Sequence, residues 1–321
     1  MNTILPYILC LASFNIASLK TCISMTDPLE EKALNEIRGT LKTKNQWTKV
    51  HAAEYLIWLG HSTEVKKEFL HENELHGTEP GFRIGIWRVL AEAETNHVQK
   101  MQWINKIFDA FSTIHGPDQL HAIETLAKLK LSPLAKFADA TQGALASKNR
   151  DLSVFTLWAA SYSSEEALKK NRQEFLDLAV SDSNETTRKI SAFILRKMGN
   201  LTKDQYTYLG EKALSEPVAS PLRNSLLNTA YVTFPESDNE SATFLKIRAA
   251  MLKDHVHFSS DKRIELALSL AESGSVADLR LLQSFLDNEN IRGIYGADSD
   301  EAADVRAAAA FAILKIKKRS G

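Results

Sequence analysis

Apolar positions along this chain return in a fixed pattern behind a basic or polar residue. The pattern occurs eight times, anchored at Lys49, Arg83, Gln119, Asp151, Arg188, Arg223, Arg263 and Arg306. Successive anchors are 34, 36, 32, 37, 35, 40 and 43 residues apart. With the residue before each anchor counted as zero, positions four, five and eight are small or apolar. In the first unit they are Ala52, Ala53 and Leu56, and in the fifth Ser191, Ala192 and Leu195. These offsets share one face of a helix of 3.6 residues per turn, so each unit carries one buried stripe. Small residues at four and five let a neighbouring helix approach closely. Gly60, Gly199 and Gly274 follow at position twelve, where a helix stops in a left-handed conformation that glycine tolerates.

A second helix is predicted in each unit. Residues 27–42 open with Asp27, Pro28 and a run of acids, the composition of a helix start. Later partners are predicted at 63–71, 97–113, 133–147, 164–180, 202–215, 240–253 and 276–287. Ser or Thr caps precede charged residues in "TEVKKEFL", "SSEEALKK" and "TKDQYTYLGEKAL". Pro80, Pro117, Pro217 and Pro221 fall between the predicted helices, and no alternation of period two persists anywhere. A period of this length marks a helix-pair solenoid, in which each unit buries its face only against its neighbours.

The segments "TKVHAAEYLIWLG" (48–60), "TRKISAFILRKMG" (187–199), "KRIELALSLAESG" (262–274) and "VRAAAAFAILKI" (305–316) resemble the second helix of HEAT and HEAT-like, armadillo-type repeats. The resemblance covers nearly everything after residue 30. It implies an all-α fold, a right-handed α-α superhelix of about eight antiparallel helix pairs with a concave and a convex surface. Six of the eight anchors match the family's basic residue, whereas Gln119 and Asp151 depart from it. The first two units, through "GFRIGIWRVLAEAE" (81–94), also resemble HEAT-like segments that accompany bacterial sugar uptake and glycan breakdown. Fold alone does not assign function.

The formal net charge is −1, with 44% hydrophobic and 25% charged residues. Such a balance gives no electrostatic case for nucleic acid, and the basic "KIKKRS" tail reads as solvated. Residues 4–17, "ILPYILCLASFNIA", have the length of a signal-peptide core and are too short to span a membrane comfortably. The expectation is a leader over residues 1–24 and one repeat array over 25–321. Export is expected, as a periplasmic, secreted or lipid-anchored chain, with Cys22 as the anchor in the last case. A start at Met25 would instead give a cytoplasmic protein. Both cysteines, Cys10 and Cys22, lie in that leader, so a disulfide, thiolate metal site or thiol nucleophile is not expected in the body. Asn184, Asn200 and Asn239 occupy N-x-Ser/Thr triplets, which matter only in a eukaryotic secretory route.

Few residues suggest chemistry. His71 and His76 bracket "HENELH", expected to be an inter-helix turn, and their spacing of five differs from the i, i+4 pair of a zinc helix. His255 and His257, beside Asp254, have an H-x-H spacing that chelates only if extended. Asp298, Asp300, Glu301 and Asp304 lie in a long loop over 288–304. They lack the spacing of a calcium loop and suit the start of the following helix. All five tryptophans, Trp47, Trp58, Trp87, Trp103 and Trp158, fall in the first half. Trp87 and Trp158 occupy stripe positions and read as core, which leaves Trp47 and Trp103 as the freer candidates for stacking on a sugar. The basic anchors read as a structural ladder tying each unit to its neighbour.

No phosphate loop or catalytic triad is discernible, and no catalytic residue, metal or cofactor is expected. The favoured expectation is a non-enzymatic binding or scaffold module for a protein or polymer on its concave face or loops. A glycan-binding accessory protein of a polysaccharide-utilisation system is the alternative. An enzyme resembling the HEAT-like bilin lyases is the least favoured.

Overall fold

The computed structural model describes residues 27–235, 241–253, 255–288 and 299–320. The leader with Cys10 and Cys22, the possible start at Met25, Asn239, Asp254, Asp298 and most of the 288–304 loop lie outside the described residues.

Every regular element among the described residues is helical, and the helices come in pairs. The first pairs are α1 (Pro28–Thr43) with α2 (Gln46–Leu59), α3 (Ser62–His76) with α4 (Phe82–Ala93), and α5 (His97–Ser112) with α6 (Gln119–Lys128). Next come α7 (Ala138–Leu145) with α8 (Arg150–Ser161), and α9 (Glu165–Ser181) with α10 (Glu185–Met198). The last are α11 (Lys203–Ser215) with α12 (Arg223–Thr233), α13 (Ala242–Leu252) with α14 (Ser260–Ser273), and α15 (Leu279–Leu286) with α16 (Asp300–Ser320). Among the described residues no helix is long and apolar enough to cross a membrane.

Local sequence explains the boundaries. Asp27 accepts from the Leu29 amide beside Pro28, and Ser164 accepts from the Ala167 amide. Thr202 and Gln205 form a reciprocal capping box, which pairs two otherwise orphaned amides. The expected cap of "TEVKKEFL" differs: α3 begins at Ser62, with no side-chain hydrogen bond from the capping His61. The same helix continues through "HENELH", so that segment is helical where a turn was expected. Gly60 takes the predicted left-handed conformation at φ 100°, and Gly199 has a positive φ of 60° but an extended ψ of −161°. Gly274 has no positive φ; its backbone is extended, and glycine is needed because a Cβ would lie 2.5 Å from the Leu270 carbonyl oxygen.

The even-numbered helices carry the stripe. Ala52, Ala53 and Leu56 are fully buried, as are Ser191, Ala192 and Leu195, and Leu266, Ala267 and Leu270. Each even helix packs on the next even helix, and α16 packs on α2 and α1. The array therefore closes into a ring, with eight even helices inside and the odd helices around them. The composition of α16 permits this closure. Ala302, Ala303, Val305, Ala307, Ala308, Ala309, Ala310, Phe311, Ala312, Ile313 and Ile316 are all buried, so apolar contact surrounds the helix. Alanines keep it thin enough to sit between α14, α15, α1 and α2. Polar pairs cross the seam as well. Arg306 Nε donates to Glu36 at 2.6 Å, His51 Nδ1 lies 2.9 Å from Asp304, and Lys44 meets Asp300 at 3.3 Å. Lys317 pairs with Asp27 and Lys32 with Asp287.

The expected ladder forms in part: Lys49, Arg83 and Arg188 reach the following unit, whereas Arg223 donates to the Leu214 and Glu216 carbonyls of its own. Arg83 Nε donates to Asp118 of the next unit at 2.9 Å, and Arg188 reaches Glu216 at 3.0 Å. Arg263 donates to the carbonyls of Val256 and Phe258 at 2.9 Å each, in the connection of its own helix pair. Gln119 is buried and its amide reaches the Phe111 carbonyl. At Asp151 the preceding residue takes the role, since Arg150 pairs with Asp182 of the following unit. At Arg306 the next unit is the first one, so this rung spans the seam.

Candidate functional site

Closing the ring turns one face of the even helices inward. Positions six and ten of the repeat lie four residues apart and share that face. Position six is Glu54, Arg88, Glu124, Thr156, Phe193, Asn228, Leu268 and Phe311. Position ten is Trp58, Glu92, Lys128, Ala160, Lys197, Val232, Glu272 and Lys315. Seven of these sixteen residues, Glu54, Trp58, Glu92, Lys128, Phe193, Lys197 and Leu268, line a cavity of about 280 Å³. His51, Tyr55, Lys130, Trp158, Tyr162 and Ile264 complete the lining. Six of the even helices or the turns just after them contribute.

Short connections make successive helices antiparallel, so the even helices run in parallel. Most lining residues come from their C-terminal halves. The negative ends of several helix dipoles therefore gather at one rim, where cations are favoured. Lys128 ends α6 and Lys197 lies next to the end of α10.

Aromatic rings form one wall. The Trp158 indole N–H donates to the Tyr162 hydroxyl at 3.1 Å, and Phe193 meets the Trp158 ring edge-on at 5.8 Å. Tyr55 and Trp58 both contact Phe311 of the closing helix, at 4.9 and 5.6 Å between centroids. Trp58 is 44% exposed, the tryptophan presented most openly at the cavity. Burial drives the Tyr55 hydroxyl well above its ordinary pKa, so it remains a neutral donor.

Charges form the other wall. Arg88 donates through Nε to Glu54 and through Nη1 to the Thr125 hydroxyl at 3.2 Å. Burial pushes the Glu54 carboxyl up, but Arg88, Lys128 and His51 outweigh it and hold the group below the usual range. Glu124 and Lys128 pair one turn apart at 2.8 Å. Glu92 has no such partner. Its Oε2 is covered and lacks a hydrogen bond among the described residues, and burial together with the nearby Glu54 pushes the carboxyl up to about 7. Lys197 is the counterpart in sign. Water reaches it through the cavity, but the ring surrounds it, and this desolvation, with Arg196 and Lys128 adding repulsion, lowers its pKa. The site thus holds two groups, one acid and one base, pushed toward neutrality, as binding and catalytic sites often do.

The residues singled out from sequence lie elsewhere. Trp47 is half-buried at the start of α2, against His121 at 5.3 Å and the edge of Phe82. Trp103 is half-buried on the outer helix α5 with the Lys106 ammonium 4.4 Å from its ring. His71 is exposed on α3 near Glu74, and His76 ends that helix beside Glu79 at 2.7 Å. His255 and His257 lie in a 3-10 turn, not the extended form a chelating pair needs. The His255 ring nitrogen meets the Leu252 carbonyl at 2.9 Å. His257 lines a separate cavity of about 250 Å³ between α12, α13 and α14. No group of three metal-donor side chains converges among the described residues. Asp300 and Asp304 start α16 as expected, with Lys44 and His51 as partners.

Sequence reading did not single out Glu54, Glu92, Lys128 or Lys197. A signal was present, because positions six and ten of the first three units all carry charged or aromatic residues beside the buried stripe. Comparisons with protein-family models, with curated proteins and with solved structures give no significant match.

Proposed function

We propose that this chain is a HEAT-like repeat protein whose repeats close into a ring that binds a carbohydrate-sized molecule in its central cavity. Trp58 carries the reading: a large aromatic face is open to the cavity opposite polar groups that hydrogen-bond hydroxyls. Ligand sites of this kind combine an apolar wall with a few placed polar groups. A pyranose has the same division, with a C–H face for Trp58 and hydroxyls for Glu92 and His51. At about 280 Å³ the cavity suits one or two sugar units rather than a long polymer. The role is that of an exported accessory protein that holds a sugar, and a start at Met25 would put the same cavity to work in the cytoplasm.

Ring closure favours this reading over a scaffold for a large partner. An extended partner needs an open concave face, and here the corresponding surface is turned inward. Any large partner would meet the outer helices or the rim. Tryptophan emission titrated with a panel of mono- and disaccharides tests the proposal. A saturable change in the parent chain that is lost in Trp58→Phe is expected. No change with any member of the panel removes the reading.

A further inference from the structure

Lys197 is the cavity residue whose chemistry is left unused by simple stacking of a sugar. Its ammonium makes no hydrogen bond or ion pair among the described residues. Of the acids around it, Glu265 is engaged with Arg196, Glu124 with Lys128 and Glu54 with Arg88, while Glu272 of α14 attracts the ammonium without bonding to it. The Lys197 Nζ lies between two aromatic faces, 5.8 Å from the centroid of Trp58 and 5.9 Å from that of Phe193. It therefore projects into an apolar part of a ligand-sized cavity with no fixed counter-ion.

We propose that Lys197 is a reactive amine that captures a carbonyl group of the cavity's ligand as a reversible imine, the ligand class being a small aldehyde or ketone such as the open-chain form of a reducing sugar. The inference deepens the carbohydrate reading and rests on it for the size of the ligand. In the step, the Nζ lone pair attacks the carbonyl carbon, forming a C–N bond as the carbonyl π pair moves to oxygen. Two protons leave nitrogen and two are taken up by that oxygen through water. The C–O bond breaks, water departs, and a neutral C=N bond remains. No oxidant or reductant is needed.

The surroundings favour the free amine that this step requires. Enclosure by the ring disfavours the ammonium of a side chain that is itself exposed to the cavity, and Arg196 on the same helix and Lys128 on α6 repel it, while Glu272 of α14 and Glu54 of α2 act in the opposite sense. The balance lies toward a lowered pKa. Desolvation beside other cations is an established way to activate a lysine toward carbonyls. Lys128, the other lysine on the inward rows at the cavity, is tied to Glu124 and cannot offer its amine as readily.

Limiting formaldehyde with cyanoborohydride at neutral pH, applied to the full folded chain and followed by peptide mass mapping, reads the amine directly. Lys197 should be methylated several-fold ahead of the exposed Lys170 and Lys203. Glyceraldehyde with the same reductant should leave its adduct on Lys197, and Lys197→Arg, checked for its helical circular dichroism, should lose that adduct. Labelling of Lys197 no faster than Lys170 and Lys203, or adducts that prefer Lys130, would overturn the proposal. Trp58 emission separates the two claims. If sugars change the emission while Lys197 stays unlabelled, the covalent inference alone falls; if neither responds, both fall.

Discussion

The Phe311 ring in the last helix stacks on the Tyr55 ring in the second, with centroids 4.9 Å apart and planes 15° from parallel. Tyr55 lines the cavity, so the contact that helps join the two ends of the chain also shapes the site. Phe311 is 2% exposed. Phe311→Ala is expected to destabilise the fold by about 3–5 kcal/mol, the range for truncating a buried phenylalanine. It should also change the emission of Trp58, which Phe311 touches. Urea unfolding followed by tryptophan fluorescence reads both effects in one experiment.

Glu54 and Arg88 form a buried pair on neighbouring inner helices. Removing one partner leaves the other charge without compensation in a low-dielectric interior. Arg88→Met is expected to cost about 3–5 kcal/mol, and adding Glu54→Gln should restore part of that loss. Arg88 also lowers the Glu92 carboxyl toward its ordinary range, so the single variant should raise the Glu92 pKa further. A double-mutant cycle by chemical denaturation, with carboxyl titration by NMR, checks both statements.

Glu92 gives the fold a distinct pH dependence. Its carboxyl is raised from 4.5 to about 7, so within that window the folded chain holds a proton that the unfolded chain releases. Its contribution is therefore intact below 4.5, falls as pH rises toward 7, and is level above that. Glu92→Gln keeps the shape and removes the ionisation. Relative to the parent, the variant should gain stability between about pH 5 and about pH 8, by on the order of 3 kcal/mol at most. Denaturation of both proteins at the two pH values measures the difference directly. An equal offset at both would show that Glu92 ionises freely in the folded chain.

The helix pairs were legible because their information is local. The stripe at positions four, five and eight is dictated by burial, and Ala52, Leu195 and Leu270 read as core in sequence and are core in the structure. The ladder was legible for the same reason, since the partners of Arg83 and Arg188 lie one unit away. Ring closure was not legible. It depends on the sum of small rotations between eight units, and no single residue states that sum. The alanine-rich sequence of α16 was the nearest local trace, because a terminal unit that ended in solvent would carry a polar outer face. The site followed closure into obscurity. Glu92 and Lys197 look like solvated helix positions until the ring turns them inward, while Trp47 and Trp103 stood out by residue type alone.

Hydrogen exchange tests closure most directly. Arg306→Ala with Phe311→Ala removes a polar and an aromatic contact between α16 and the first pair, both far from α1 and α2 in sequence. The closed ring predicts faster amide exchange in residues 28–59, together with residues 300–320. Faster exchange confined to α14, α15 and α16, with residues 28–59 unchanged, would contradict it.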